Sequence, residues 1–128
     1  MNPLAREWFA KADADLTTAF RELRARKNPN YDSACFHSQQ CIEKYLKGVL
    51  QALGMPFTKT HDLSVLLNSC LHAYPLWESY RPDMQMLTQY AVAFRYPGVS
   101  ASRDDAKAAV AAADRLCGAL RAAMGLTD

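Results

Sequence analysis

"FHSQQCIEKYLKG", residues 36–48, decides the fold, because its apolar and polar residues separate only if it is wound as a helix. At about 100° per residue, Ile42, Leu46, Val49 and Leu53 centre on one face, while His37, Gln40, Lys44, Lys47 and Gln51 gather on the opposite one. The polar groups therefore form a stripe. Gln39 falls within or beside the apolar arc, where an amide without a partner costs on the order of 1–3 kcal/mol. It must bond to a neighbouring helix, through Asp15 or a backbone group, or lie at an interface. Glu43 and Lys47 are spaced as an ordinary i,i+4 pair on a solvated face.

Working outward, the helix starts after the N-cap Asn30, carries Asp32 in its first turn, and runs to Gly54 with Cys35 added to its core stripe. Before it, Leu4, Trp8, Ala12, Leu16, Ala19, Phe20 and Leu23 recur at helical spacing and end near "RKNPN". The basic tail of that first helix, Arg21, Arg24, Arg26 and Lys27, suits either phosphate contact or the helix C-terminal dipole. After it, Thr60 caps a third helix with Leu63, Leu66, Leu67, Cys70 and Leu71 on its buried face. "YPLWESYRPD" reads as a loop or broken turn. A fourth helix from Asp83 carries Met84, Leu87, Ala91 and Phe94 and stops at Tyr96, since Pro97 disfavours helical geometry in the residue before it. Ser102 and Asp105 form a capping box, with Asp in place of Glu, that opens an alanine-rich last helix through about Met124.

No strand pattern or repeat interrupts this series. The expectation is an all-α protein, an antiparallel up-and-down helical bundle of four long helices plus a shorter one, with residues 1–128 as a single domain. The chain has 128 residues, half of them apolar, which suits one core. Its net charge of +2 makes no global field, so a nucleic acid would have to meet a local patch. Cys35, Cys41, Cys70 and Cys117 lack C-x-x-C spacing and sit in apolar helical contexts, as small core residues of a reduced, cytoplasmic protein. Charges from Arg6 onward argue against a signal peptide, and no apolar run is long enough to span a membrane. No metal-ligand, phosphate-loop or hydrolase-elbow motif occurs, so no metal site and no cofactor is expected.

Four stretches, "ADADLTTAF", "YDSACFHSQQCIEKYLKGVLQALG", "KTHDLSVLL" and "YAVAFRYPG", together resemble the HEPN domain family over roughly residues 5–120. The resemblance implies an up-and-down bundle that often dimerises and is linked to nucleotides or RNA. Some members are ribonuclease toxins; others accompany minimal nucleotidyltransferases. It makes His37, Gln40, Lys44, Lys47 and Arg95 candidates for a nucleotide or partner surface. Ribonuclease members carry an arginine followed four to six residues later by histidine; here Tyr96 to Ser102 follow Arg95, and no histidine occurs beyond His72. The usual catalytic pair is not carried over, and no catalytic residue is assigned. The leading expectation is a non-catalytic, dimeric module acting with a nucleotidyltransferase partner. Two alternatives remain: a metal-independent ribonuclease using His37 or His61 with Arg95, and a pure interaction scaffold.

Overall fold

A computed structural model describes residues 1–126. Five α-helices occur among them: α1 (Pro3–Arg24), α2 (Tyr31–Ala52), α3 (Leu63–Cys70), α4 (Arg81–Ala93) and α5 (Arg103–Ala123), with a 3₁₀ segment at Pro75–Tyr80 leading directly into α4. There is no strand among the described residues. The all-α bundle expected from the sequence is the architecture found. No helix in it is long and apolar enough to cross a membrane.

Helix α2 is the axis of the bundle, packed against α1, α3, α4 and α5. That position explains why its residues from Ala34 to Leu50 are buried on more than one side. The Asn30 side chain accepts from the Ser33 amide to start it, as read from sequence. It ends at Ala52, two residues short of Gly54, which takes the left-handed φ of 69° that stops the chain. Leu53 caps the helix and is 38% exposed, so it does not belong to the core stripe.

The apolar face of α1 departs from the expected one only at its start; Ala12 and Ala19 are buried and Leu16, Phe20 and Leu23 pack against the core as expected. At the start Ala5 and Phe9 are buried, whereas Leu4 is 51% exposed. The cause lies on α2: Gly48 has no side chain, and the Phe9 ring fills that space and stacks on Tyr45 at 5.5 Å between centroids. Ala106, Ala109, Ala112 and Ala113 of α5 are all buried, giving the small-sided contact that lets this helix seat closely in the bundle. Its capping box is present, the Asp105 amide donating to Ser102 Oγ at 3.0 Å and the Ser102 amide to Asp105 Oδ2 at 2.9 Å.

Three boundaries differ from expectation. Asp62, not Thr60, caps α3 by accepting from the Ser64 amide; Thr60 Oγ1 instead takes the Asp62 amide, a turn that delays the helix. Helix α4 starts at Arg81, because the "PLWESY" segment is itself wound and feeds into it. It ends at Ala93, three residues before the expected stop at Tyr96.

Candidate functional site

The polar stripe of α2 is not a solvated face. Because α2 is central, α1 covers one flank of the stripe and the segment entering α3 covers the other. On the α1 flank Asp15, 8% exposed, is clamped by His37 and Lys44: Nδ1 of His37 lies 2.8 Å from Oδ1 and Nζ of Lys44 lies 2.6 Å from Oδ2. The Gln39 amide is therefore not the partner of Asp15.

On the α3 flank the centre is Glu43, 3% exposed. Its Oε1 accepts from His61 Nδ1 at 2.8 Å and from Gln39 Nε2 at 3.2 Å, and its Oε2 takes Lys47 Nζ at 3.0 Å. Burial opposes the charge, but His61, Lys47 and Gln39 outweigh it and hold the Glu43 carboxyl below its ordinary value. An ionised carboxylate can only accept, so His61 Nδ1 carries the proton in this bond and Nε2 is left facing outward on a ring that is 76% exposed. Gln39, 1% exposed, donates to the His61 carbonyl at 2.8 Å and accepts from Gln40 Nε2 at 2.8 Å. The expected buried amide thus has its backbone partner, and the bond ties α2 to the α3 entrance.

The five sequence candidates do not form one surface. His37 and Lys44 belong to the Asp15 clamp, and Lys47 is consumed by Glu43, with its ammonium 5.8 Å from the Trp8 ring centroid. Gln40 and Arg95 do meet: with Gln39, His61 and the apolar Phe36 and Val92 they line a cavity of about 340 Å³ between α2 and α4. Val92, which lines it, is 59% exposed.

A second network went unread in the sequence. Tyr45, fully buried, donates its hydroxyl to Asp13 Oδ1, and Arg121 Nη1 reaches Asp13 Oδ2 at 2.8 Å and the Tyr45 oxygen at 3.1 Å. Burial first, then the Asp13 bond, keeps that phenol protonated. Asp13 and Asp15 both come from "ADADL"; Asp13 is held by Tyr45 of α2 and Arg121 of α5, Asp15 by His37 and Lys44 of α2, and helical spacing alone did not reveal these partners. Cys35, Cys41, Cys70 and Cys117 are buried free thiols. Among the described residues no three His, Cys, Asp or Glu side chains gather as a metal site.

A central helix whose polar residues are wired to both neighbours, with an aromatic and arginine-lined cavity against α4, defines a small helical-bundle module. The HEPN domain model matches residues 5–122, and the chain belongs to that family. A curated relative, "Putative toxin MJ1304" of Methanocaldococcus jannaschii, is 29% identical over 100 residues, which are 73% of this chain and 63% of the relative, so the match spans less than two thirds of that protein. TT1696 from Thermus thermophilus superposes with a TM-score of 0.78 at 24% identity, covering 91% of this chain and 95% of its own, and shares the fold. ST0689, an archaeal HEPN homologue, gives a TM-score of 0.71 at 25% identity, covering 92% of this chain and 95% of its own.

Proposed function

We propose that the chain is a non-catalytic HEPN module that dimerises and acts with a nucleotidyltransferase-type partner, with the α2–α4 cavity as its nucleotide or partner surface. The observation that carries this reading is that Gln40, His61 and Arg95 line one cavity of about 340 Å³ together with the apolar Phe36, Ala91 and Val92. The lack of a histidine after Arg95 supports the non-catalytic side of it. Lys44 and Lys47, already neutralised by carboxylates, serve this face by holding α2 in place.

The test is co-purification with a nucleotidyltransferase encoded beside this chain, followed by titration of nucleotides into each protein and into the complex. Association that Arg95→Gln weakens at unchanged stability is the expected result. Failure to associate at micromolar concentrations overturns the reading.

One observation favours the ribonuclease alternative. His61 and Arg95 line the same cavity, and Glu43 orients the imidazole so that Nε2 can take a proton while the guanidinium faces a phosphate. The toxin-named relative is in keeping with it. RNA left intact by the purified protein, or cut equally by His61→Ala, removes this alternative.

A further inference from the structure

The basic end of α1 is not explained by the α2–α4 cavity. Arg24 is the last residue of α1 and Arg26 follows in the loop; across from them stand Arg103, the first residue of α5, and Lys107, one turn further along. These four side chains line one hollow of about 500 Å³ together with Tyr31 and Pro29. None of the four makes an ion pair with a carboxylate among the described residues. A chain of net charge +2 thus gathers four cations without a carboxylate partner in a single concavity, Arg24 lying over the Phe20 ring at 4.6 Å from its centroid.

The helix dipole separates a stabilising role from a binding one. At the C-terminus of α1, Arg24 is where a cation is favoured; Arg103, the first residue of α5, stands where a cation is disfavoured, and Lys107 lies beyond the first turn, outside the reach of the dipole. Asp104 and Asp105 meet the dipole there, and Asp105 is turned away to the Ser102 amide at 2.9 Å. The helix dipole therefore gives no reason for Arg103. The hollow is also held open in advance. Asp32 at the start of α2 accepts from the Ala101 amide at 2.7 Å, fastening the α1–α2 loop to the entrance of α5, and Asn28 in that loop takes a left-handed φ of 51°.

We propose that Arg24, Arg26, Arg103 and Lys107 form a phosphate-binding site for adjacent phosphates of a polyanion. The capping box already occupies amides at the start of α5, so the side chains supply the charge. Two sources share this chemistry, a free nucleoside polyphosphate and a nucleic acid strand. The hollow continues, through shared Pro29 and Tyr31, into a neighbouring one of about 330 Å³, which in turn shares Asn30 and Asp32 with a third that reaches Phe36 and Arg95. A strand can follow that path, with aromatic rings along it, whereas a free nucleotide fills only its start.

The inference goes beyond the binding-module reading and survives its failure, since it is tested by residues that touch neither Gln40 nor Arg95. Fluorescence anisotropy of a labelled short single-stranded RNA is measured against salt for the wild type, for Arg26→Gln/Lys107→Gln, and for the control Arg6→Gln/Lys11→Gln on the distant half of α1. All four positions are exposed, and circular dichroism confirms folding of each variant. At about 0.7 of logarithmic salt slope per phosphate contact on a single strand, the site variant loses about 1.4 from its slope and about 25-fold in affinity near 0.1 M salt. The control stays within about twofold of wild type on the same scale. Inorganic tripolyphosphate as competitor distinguishes the sources: RNA bound at least about tenfold more tightly assigns a strand, and equal affinity with the same variant dependence assigns a free polyphosphate. Equal losses in site and control variants, or no binding of either probe by the wild type, overturn the proposal.

Discussion

Gln39 and Gln40 are adjacent in sequence and chemically identical, so substituting each by leucine isolates what burial and bonding do. Gln39→Leu removes the donor to the His61 carbonyl at 2.8 Å and one of the donors to Glu43 Oε1 at 3.2 Å, from a side chain that is 1% exposed. A stranded carbonyl costs about 1–3 kcal/mol, and a bond to a charged acceptor is worth about 1.5–3. Partial solvent access at His61 and the added apolar surface of leucine offset part of this, leaving a loss of about 2 kcal/mol. Gln40→Leu removes a half-buried donor that reaches Gln39 Oε1 at 2.8 Å and, at 3.4 Å, Glu43, and the buried Gln39 oxygen loses its partner, so the loss is about 1 kcal/mol, half that of Gln39→Leu. With a urea slope of about 1.5 kcal/mol/M, the midpoints fall by about 1.3 M and by about 0.7 M respectively. Urea melts followed by circular dichroism measure both. Equal losses, or a larger one for Gln40, would refute the assignment of Gln39 as the tie between α2 and the α3 entrance.

Other consequences are equally direct. In Gly48→Ala the new Cβ stands 2.6 Å from Phe9 Cε1 and 2.9 Å from Cδ1, and overpacking of about 1–3 kcal/mol exceeds the gain in helix propensity of about 1; a thermal melt several degrees below wild type is expected. The Glu43 carboxyl is held below its ordinary 4.5, so its contribution to stability is complete above that pH and is lost as pH falls through the lower, folded value. Urea midpoints of the wild type should therefore drop more steeply below about pH 4.5 than those of Glu43→Gln, and parallel curves would contradict the network. Burial pushes the Cys35 and Cys70 thiols up to about 12, which keeps both unreactive; iodoacetamide at mildly alkaline pH should leave them unmodified in the native protein and label them once urea unfolds it, as mass spectrometry would read.

Elements with strong local chemistry were legible in the sequence. Asn30, Ser102 with Asp105, and Gly54 announced helix ends because the side chain or backbone that makes each cap is written in the residue itself. The inward place of Phe9 at the start of α1 was not legible, since it depends on Gly48 of another helix making room for the ring. The same holds for the stripe. Spacing correctly set Gln39 on the apolar side, but it could not tell that the opposite side of α2 is covered too, because amphipathicity describes one helix and coverage depends on how many pack around it. His37, Lys44 and Lys47 therefore read as a surface and turned out to be partners of Asp15 and Glu43.

That burial redistributes function along α2. A carboxylate removed from water must be compensated, and both Asp15 and Glu43 recruit one lysine and one histidine to do so. The four side chains so used fix how α1 and the α3 entrance sit on α2, and the charge of the two lysines is not free for a ligand. Arg95 at the α2–α4 cavity and the four side chains between the end of α1 and the start of α5 are in no such ion pair among the described residues, and on the proposed reading they are the cations that meet a phosphate. The charged residues of "FHSQQCIEKYLKG" thus hold the bundle together, while Phe36 and Gln40 of the same stretch line the α2–α4 cavity.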